Sequence, residues 1–348
     1  MPSVPRMTLP IPHDYAPMEA DLKPRLPTGP DWVYEPKWDG FRCLVFRDGD
    51  DVDLRSKAGK PLARYFPDVV AEMRATRGTR FVLDGEIIIP VDGLLSFDEL
   101  LLRVHPAASR VQKLARAHPA LTIAFDLLLD ARARDLTGQP FGRRRRALEA
   151  FAARLPAAGE GPIHISPQTA DPAEAQTWLR GGRQGLDGVV AKRLDLPYLP
   201  GERAMVKVKR MRTADCVVGG FRWSSRSRQV GSLLLGLYDD EGLLQHVGFT
   251  GSMSAGVRAE ATRQLRPLRG GPGFTGRSPG GPSRWRRDGG GAWEPVRPDT
   301  VAEVQYDHFS GGRFRHGTRF LRWRPDKDPR ACMLAQVRRE SGTAVGML

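Results

Sequence analysis

The chain has 348 residues, which at roughly 100–200 residues per domain predicts about two domains. Its 54 Lys and Arg residues against 40 Asp and Glu give a net charge of +14, which favours a polyanionic partner. Three widely spaced cysteines without a C-x-x-C pair exclude a disulfide scaffold and a four-cysteine zinc site. We see no export signal and no long apolar stretch, so we expect no membrane partner and a cytoplasmic location.

Three segments are visible in the pattern of the chain. The first thirty residues are rich in proline and lack periodicity, which predicts an N-terminal arm over the surface. In residues 31–212, strand-like apolar runs alternate with helical patterns, as is typical of an α+β domain. Residues 213–348 carry short strand patterns and one helical pattern at 254–265, which predicts a small β-barrel. A Gly- and Pro-rich stretch at 267–291 is expected to be a long loop within it.

The first domain is expected to begin with a hairpin, signalled by the turn Asp48-Gly49-Asp50 between apolar runs at 41–46 and 52–55. Further strand patterns lie at 81–89, 121–129, 188–191 and 205–209. Helical patterns lie at 67–77, 97–104, 143–155 and 172–179.

The most informative segment is Glu35-Pro36-Lys37-Trp38-Asp39-Gly40-Phe41-Arg42. A lysine between a strand end and an Asp-Gly turn could be a covalent nucleophile. Its pKa would then have to be lowered, because an ammonium group has no lone pair with which to attack. For this segment alone, the alternative is a solvated hairpin edge with a turn at Asp39-Gly40.

Companion strings follow it in chain order: Leu54-Arg55-Ser56-Lys57, Leu83-Asp84-Gly85-Glu86, Ala124-Phe125-Asp126-Leu127-Leu128, Asp187-Gly188-Val189-Val190-Ala191-Lys192, Lys207-Val208-Lys209 and Arg322-Trp323-Arg324-Pro325-Asp326-Lys327. With the Lys37 segment as motif I, they resemble motifs Ia, III, IIIa, IV, V and VI of the covalent nucleotidyltransferases. These enzymes comprise DNA ligases, RNA ligases and mRNA capping enzymes. The residues of motifs I, IIIa and VI are most similar to those of ATP-dependent DNA ligases, especially the compact bacterial ligase C and the ligase domain of ligase D.

The resemblance implies an α+β fold, with an ATP-grasp-like antiparallel-sheet nucleotidyltransferase domain followed by a small OB-fold barrel. Lys37 would attack the α-phosphorus of ATP, and the AMP would pass to the 5′-phosphate of a nick before the 3′-hydroxyl seals the strand. The implied cofactors are ATP, as co-substrate, and Mg²⁺ or Mn²⁺. The implied partners are nicked duplex DNA and DNA-repair proteins, with the chain acting as a monomer on the bacterial nucleoid.

The resemblance also implies roles for single residues, four of which would be catalytic: Lys37, Asp39, Lys207 and Lys209. A larger set would bind ATP or AMP: Glu35, Pro36, Arg42, Glu86, Phe125, Lys207, Lys209, Arg324 and Lys327. Within it, Glu35 would accept a hydrogen bond from the adenine amino group, Phe125 would stack on the adenine and Arg42 would reach the ribose.

DNA and metal roles are implied for the remaining motif residues. Arg55, Ser56 and Arg203 would contact DNA, with Arg55 at the 5′-phosphate of the nick. Glu86 and Asp187 would hold the metal ion, although Asp187 stands where the family usually has Glu, which leaves the metal geometry open. Four side chains of motif VI would swing onto the ATP phosphates during lysine adenylylation: Arg322, Arg324, Asp326 and Lys327.

Each of these assignments has a structural alternative. The pair Lys207 and Lys209 would project from one face of a strand, and such a pair is also found on exposed polar strands. Glu86 lies in an apolar strand and could form a structural salt bridge, while Phe125 could be a core residue. The four arginines at 143–146 are expected to form a solvated helix face.

Two alternatives to a DNA ligase share the same motifs. An RNA ligase or a capping guanylyltransferase would use the same lysine chemistry, with different nucleotide or polynucleotide substrates. A noncatalytic DNA-binding module could retain an inactive nucleotidyltransferase core, although intact Lys37, Glu86, Lys207 and Lys209 argue against it. An NAD-dependent ligase is disfavoured, because the chain lacks a four-cysteine zinc finger.

Overall fold

The computed structural model describes residues 7–76, 78–153, 163–180, 186–225, 227–280 and 292–338. They divide into two compact units, one up to Arg210 and the other from Met211. Among the helices of these described residues, none has the length and apolar character needed to cross a membrane.

The N-terminal unit is built from two main β-sheets, a separate two-stranded sheet and flanking helices. Its strands are β1 (Ala20–Leu22), β2 (Trp32–Pro36), β3 (Phe41–Asp48), β4 (Asp51–Ser56), β5 (Arg80–Ile88), β6 (Pro90–Val91), β7 (Leu94–Leu95), β8 (Leu121–Leu129), β9 (Ile163–Ile165), β10 (Gly188–Arg193) and β11 (Met205–Lys209). Its helices are α1 (Pro67–Ala75), α2 (Phe97–Arg103), α3 (Ala108–Ala117), α4 (Phe141–Ala152) and α5 (Pro172–Arg180).

The larger sheet has the strand order β4-β3-β5-β8-β9, and the smaller one has the order β1-β11-β10-β2. Neighbouring strands are antiparallel except for the edge pairs β8–β9 and β1–β11, which are parallel. One face of the larger sheet packs against α1, α2 and α4 around Phe66, Met73 and Leu148. The sheet surfaces are apolar where they are covered, so burial of these side chains is the main stabilising contribution. The antiparallel α+β architecture expected from the sequence is therefore confirmed.

The segment before residue 31 is part of this unit rather than an arm over its surface. Ile11 and Met18 are buried among side chains of both sheets, including Met205. Strand β1 pairs in parallel with β11, with Ala20 opposite Met205. The sequence did not predict this strand, because the segment is rich in proline and its pairing partner lies far away along the chain.

Local signals explain most element boundaries. Ser96 caps α2 by accepting a hydrogen bond from the backbone N–H of Glu99, and Pro67 occupies the first turn of α1. Gly49 adopts φ +64° in the hairpin turn between β3 and β4. Helix α3 was missed by the sequence analysis, since its exposed face is dense in Arg and Lys and only Val111 and Ala115 are buried.

The C-terminal unit is a closed barrel. Its strands are β12 (Arg212–Trp223), β13 (Val230–Tyr238), β14 (Leu244–Ser252), β15 (Glu294–Pro295), β16 (Val301–Tyr306), β17 (Phe309–Ser310), β18 (Arg313–Phe314) and β19 (Thr318–Trp323). The barrel runs β12-β13-β14-β19-β16 and closes back onto β12. Helix α6 (Ala255–Leu265) follows β14, and the short α7 (Ala335–Arg338) follows the last strand. This arrangement is the expected OB-fold.

The Gly- and Pro-rich stretch lies partly within the described residues. Residues 267–280 contain the end of a 3-10 turn, Arg266–Leu268, and no strand. Phe274 is nevertheless buried, and its ring packs so close to Gly219 that a Cβ there would lie 2.6 Å from it. The first half is thus an irregular segment packed on the barrel, while residues 281–291 lie outside the described part of the chain.

Candidate active site

A cavity of about 280 Å³ lies between the two sheets of the N-terminal unit. Strand register explains which side chains reach it, because residues directly opposite one another share a face of a sheet. Val190 is opposite both Glu35 and Lys207, so these three side chains form a row across the smaller sheet. Arg42 is opposite Glu86 on the larger sheet. All five residues line the cavity.

Lys37 follows directly after β2 and also lines this cavity. Its backbone N–H donates to the carbonyl oxygen of Gly188 at 2.9 Å, and its Nζ lies 2.5 Å from Oδ2 of Asp187. Burial alone would lower the pKa of Lys37, but Asp187, assisted by Asp39 and Glu86, raises it above its usual value. This direction is opposite to the lowered pKa that the sequence predicted for a nucleophilic lysine. The cause is the adjacent carboxylate, which stabilises the ammonium form.

Two glycines permit the close packing around Lys37. A Cβ on Gly40 would lie 2.2 Å from the carbonyl oxygen of Ile87 in β5. Gly188 has φ +153°, and a Cβ there would lie 2.2 Å from the carbonyl oxygen of Val208. The glycines of the first and fourth motifs are thus required by backbone contact between neighbouring strands.

Glu86 lies on the cavity wall beside the Asp-Gly turn. Its Oε1 accepts a hydrogen bond from the backbone N–H of Gly40 at 3.1 Å. Burial raises the pKa of Glu86 to about 7, against the opposing effect of the Lys37 and Arg42 charges. Among the described residues, no group of three or more His, Cys, Asp and Glu side chains is placed to hold a metal ion.

Phe125 lies on β8 at the back of the cavity. The Arg42 guanidinium carbon is 4.6 Å from the centre of its ring, and the Nζ of Lys192 is 4.7 Å away. Arg42 is itself fixed by two hydrogen bonds to Asp84, of 2.6 and 2.5 Å, and by one to the carbonyl oxygen of Met18. The ring therefore has two cations close to it, and Phe125, which lines the cavity, is 9% exposed.

Glu35 forms a buried ion pair with Lys192 in the wall of the cavity. Its Oε2 accepts a hydrogen bond from Lys192 at 2.9 Å, and Lys192 also donates to the carbonyl oxygen of Phe125 at 3.1 Å. Burial raises the pKa of Glu35 and lowers that of Lys192, and in each case the charge of the partner opposes the shift. Arg145 lies 3.7 Å from Oε1 of Glu35.

The arginine run at 143–146 is only half solvated. Arg143 and Arg146 are exposed as expected, but Arg144 is fully buried and forms two 2.9 Å hydrogen bonds to Asp126. Arg145 donates to the carbonyl oxygen of Ser166 at 2.9 Å. The expectation of a solvated face is wrong for these two residues. Helix α4 packs on β8, so their side chains point into the unit, where they bind a buried carboxylate and a backbone carbonyl.

Basic side chains gather at one end of the cavity. Lys207 lines it together with Lys57, which forms a 2.8 Å ion pair with Glu19. Burial lowers the pKa of Lys207, and the ammonium groups of Lys57, Lys37 and Lys209 lower it further. Lys209 lies two residues along the same strand, opposite Gly188, as the alternation of side chains predicts.

The residues assigned to DNA lie outside the cavity lining. Arg55 donates to Asp53 at 2.6 Å and to the carbonyl oxygen of Gly59 at 3.2 Å, and the hydroxyl of Ser56 accepts from the backbone N–H of Lys60. Arg203 is exposed.

The motif VI residues lie on the C-terminal unit. Arg324 forms hydrogen bonds of 2.9 Å to both Asp215 and Asp326, and Lys327 lies 3.7 Å from Asp215. The hydrogen bond from Arg324 lowers the pKa of Asp326 to about 2. Arg322 donates to Glu303 at 2.6 Å. These side chains are thus ordered by a local carboxylate network.

Sequence reasoning gave no role to several residues that line the cavity. Pro17, Met18 and Glu19 reach it because β1 joins the smaller sheet, which no local pattern indicated. Lys57 and Lys192 were visible as parts of motif strings, but their contacts depend on strand pairing at long range.

Comparison with known families decides the identity. The family model described as the ATP dependent DNA ligase domain matches residues 19–209, and that of the ATP dependent DNA ligase C terminal region matches residues 226–327. The chain belongs to the ATP-dependent DNA ligases. It is thus an enzyme whose co-substrate is ATP and whose substrate is nicked DNA.

Relatives of this ligase agree with that assignment. It is 45% identical over 348 residues to DNA ligase C2 of Mycolicibacterium smegmatis, covering 95% of this chain and 96% of the relative. It is 34% identical over 306 residues to the multifunctional non-homologous end joining DNA repair protein LigD of Mycobacterium tuberculosis, covering 86% of this chain and 37% of LigD. A solved structure from an analysis of Lig E DNA ligases matches with a TM-score of 0.51 at 15% identity, covering 89% of this chain and 99% of the other, which supports the fold alone.

Proposed function

We propose that this ligase seals nicks bearing a 5′-phosphate and a 3′-hydroxyl in duplex DNA through a covalent AMP adduct on Lys37. The observation that carries the proposal is the position of Lys37. Its side chain lies in a cavity that also holds an aromatic ring, Phe125, and a basic end formed by Lys57 and Lys207. Such a cavity offers an aromatic surface for a base and positive charge for phosphates.

In the first step, the Nζ of Lys37 forms a bond to the α-phosphorus while the bond to the β-phosphate oxygen breaks and pyrophosphate leaves. Lys37 must first lose a proton, and Asp187 at 2.5 Å is the carboxylate in contact with it that can accept one. Lys207 and Lys209 neutralise the negative charge on the phosphates, and Asp39 supports the position of Lys37.

The nucleoside is held by the two sheets. Glu35 and Pro36 line the cavity from β2 and face the base, and Phe125 supports the ring. Arg42 is held by Asp84 with its guanidinium over Phe125, which suits a contact with the ribose. Rigid placement by these ion pairs is what phosphoryl-type transfer requires, since positioning supplies much of the rate.

Mg²⁺ or Mn²⁺ fits the oxygen donors that surround Lys37. Glu86 and Asp187 would hold the ion, since Mg²⁺ is usually bound by one or two carboxylates together with substrate phosphates. Burial raises the pKa of Glu86 to about 7, and a cation bound beside it would stabilise the ionised form of this carboxyl group. When bound, the ion would neutralise charge that develops on the phosphate oxygens.

The DNA is contacted by the basic surface of the chain, whose net charge is +14. We assign Arg55 to the 5′-phosphate, because a guanidinium can bind phosphate with two parallel hydrogen bonds. Ser56 and Arg203 contribute further backbone contacts. Arg324 and Lys327 are assigned to the first step, in which pyrophosphate leaves.

We further propose that the ligase works as a monomer in DNA repair, on the nucleoid in the cytoplasm. The similarity to LigD, whose name places it in end joining, supports a repair role for this chain. DNA-repair proteins are then the expected protein partners.

The proposal is tested with single-turnover sealing of two substrates, an ordinary 5′-phosphate nick with ATP and a nick that already carries AMP on its 5′ end. Lys37→Ala and Lys327→Ala should fail or slow strongly on the ordinary nick and retain sealing of the adenylylated one. Glu86→Ala should impair both reactions. Equal losses on both substrates for Lys37→Ala would contradict the covalent role of Lys37, and a preference for nicked RNA in a parallel panel would favour an RNA ligase.

A further inference from the structure

A histidine of the N-terminal segment reaches the strand that carries Arg55. Strand β4 pairs with β3 so that Asp53 lies opposite Phe46 and Arg55 lies opposite Leu44. Since side chains alternate along a strand, these residues share one face of the larger sheet with Arg42. Arg42 lines the cavity, so Asp53 and Arg55 lie on the sheet face that forms a wall of the cavity.

His13 packs on this face, over Phe46. The two rings are parallel to within 5°, and their centres are 5.1 Å apart. Nδ1 of His13 lies 2.7 Å from Oδ2 of Asp53, which is buried with 6% exposure. Because an ionised carboxylate only accepts hydrogen bonds, Nδ1 carries the proton and donates it. The imidazole is thus fixed by both a ring contact and a hydrogen bond.

The same oxygen of Asp53 also holds Arg55. Nε of Arg55 donates to Oδ2 at 2.6 Å, and its Nη1 donates to the carbonyl oxygen of Gly59 at 3.2 Å. The Arg55 side chain is 21% exposed, and none of the described residues accepts a hydrogen bond from its Nη2. Two nitrogens therefore fix the direction of the guanidinium, and the third is left for an oxyanion such as phosphate.

We infer that His13 and Asp53 are positioning residues for the joining of DNA, which hold the guanidinium of Arg55 toward the 5′-phosphate of the nick. The inference rests on the proposed function, in which Arg55 contacts that phosphate. It gives the segment before residue 31 a part in sealing that is separate from the contacts of Met18 and Glu19 with the nucleotide cavity.

The physical reason is that two donors on one oxygen restrict the Asp53 carboxylate more than one donor does. A carboxylate paired with Arg55 alone keeps more rotamer freedom, and the guanidinium moves with it. With His13 in place, the ion pair is anchored on the packed sheet. Phosphoryl transfer depends on positioning, so a displaced Arg55 should slow sealing. The nucleotide cavity is not lined by His13, Asp53 or Arg55, so self-adenylylation should be spared.

Two variants of His13 separate its ring from its donor. His13→Phe keeps a ring over Phe46 and removes the donor, whereas His13→Asn removes the ring and keeps an N–H group that can reach Asp53. The measurements are single-turnover sealing of a subsaturating nick that already carries AMP, and self-adenylylation with ATP in the absence of DNA. His13→Phe should slow sealing by about 5- to 20-fold, as expected for one hydrogen bond to a charged group, and leave self-adenylylation unchanged. His13→Asn should retain most of the sealing rate. Should His13→Phe fail to fold, His13→Leu makes the same comparison.

A double-mutant cycle tests whether His13 acts through Arg55. Arg55→Ala alone should slow sealing of the adenylylated nick. Adding His13→Phe to Arg55→Ala should slow it by less than about twofold more, because the group that His13 positions is then missing.

Thr8→Ala is the matched control. Thr8 also ties the N-terminal segment to β3, since its backbone N–H and its hydroxyl both donate to Oδ2 of Asp48, at 2.6 and 3.0 Å. It makes no contact with Asp53, so both rates should equal those of the wild type.

The outcomes separate the inference from the proposed function. Equal slowing of both reactions by His13→Phe, an undiminished loss on top of Arg55→Ala, or the same loss in Thr8→Ala would overturn the inference and leave the lysine chemistry standing. If Arg55→Ala seals as fast as the wild type, the proposed role of Arg55 is wrong and the inference falls with it. A wild-type protein that ATP does not label would contradict the proposed function itself.

Discussion

The Nζ of Lys37 lies 2.5 Å from Oδ2 of Asp187, and the backbone N–H of Lys37 donates to the carbonyl oxygen of the next residue, Gly188, at 2.9 Å. The two motifs are thus joined through both side chain and backbone. This contact stabilises the ammonium form of Lys37 and fixes the direction of its side chain. In the proposed mechanism, Lys37 must lose a proton before it can attack.

Replacing Asp187 by Asn should make Lys37 easier to deprotonate. Because the adjacent carboxylate raises the pKa of Lys37, its loss should move the midpoint of Lys37 reactivity to a lower pH. The measurement is the rate of labelling by an amine-reactive reagent as a function of pH, read by mass spectrometry in EDTA without ATP. The exposed Lys113 serves as the internal control. An unchanged midpoint would show that Asp187 does not hold the proton on Lys37.

Tyr198 links the N-terminal segment to the cavity. Its hydroxyl donates to Oδ2 of Asp84 at 2.7 Å and accepts from the backbone N–H of Met18 at 2.9 Å. Tyr198→Phe removes both bonds in a buried place, so the free energy of unfolding should fall by about 1–3 kcal/mol. We also expect weaker ATP binding, because Met18 and Arg42 belong to the same network. Denaturant unfolding and an ATP titration measure these effects, with Tyr65→Phe as the hydroxyl-loss control. Equal stability of Tyr198→Phe and wild type would refute the structural role.

Glu72 on helix α1 gives a pH-dependent stability. Burial, with a contribution from Asp68, raises the pKa of Glu72 to about 7, and its Oε2 has no hydrogen-bond partner among the described residues. The folded state therefore binds this proton more tightly than the unfolded state, whose pKa is near the ordinary value for Glu. The stabilisation is fully present below the unfolded pKa and is lost as pH rises through about 7.

Glu72→Gln should therefore raise the midpoint of thermal unfolding at pH 8, because the free energy of unfolding increases by about 1 kcal/mol there. It should have little effect at pH 5. The exposed Glu241→Gln variant is the control for a general change in charge. A uniform effect of Glu72→Gln at both pH values would mean that ionisation of Glu72 does not limit stability.

Much of this site could be anticipated from the sequence because its signals are local. The alternation of Lys207 and Lys209 on one strand depends only on residues that are two apart, and it matches β11. The Asp-Gly pairs likewise mark backbone positions where neighbouring strands leave no room for a Cβ. The positions that we propose for the nucleophile and for the phosphate-facing lysines were therefore indicated by short local strings of the sequence.

The remainder depends on pairing between distant segments. The row formed by Glu35, Val190 and Lys207 needs the register of strands that lie more than a hundred residues apart. Arg144 was predicted to belong to a solvated run, since a helix that packs on a buried carboxylate has the same sequence signal as one that faces water. The raised pKa of Lys37 has the same origin, because Asp187 approaches it only through the pairing of β2 with β10.

The most direct test of the account is to identify the residue that carries AMP. The purified protein is incubated with ATP labelled at the α-phosphate and with Mg²⁺, and the labelled peptide is located by mass spectrometry after acid and alkali treatment. We expect one acid-labile adduct on Lys37, complete loss of label in Lys37→Ala, and release of the label as ATP when pyrophosphate is added. A label that persists in Lys37→Ala, or that maps to another residue, would contradict it.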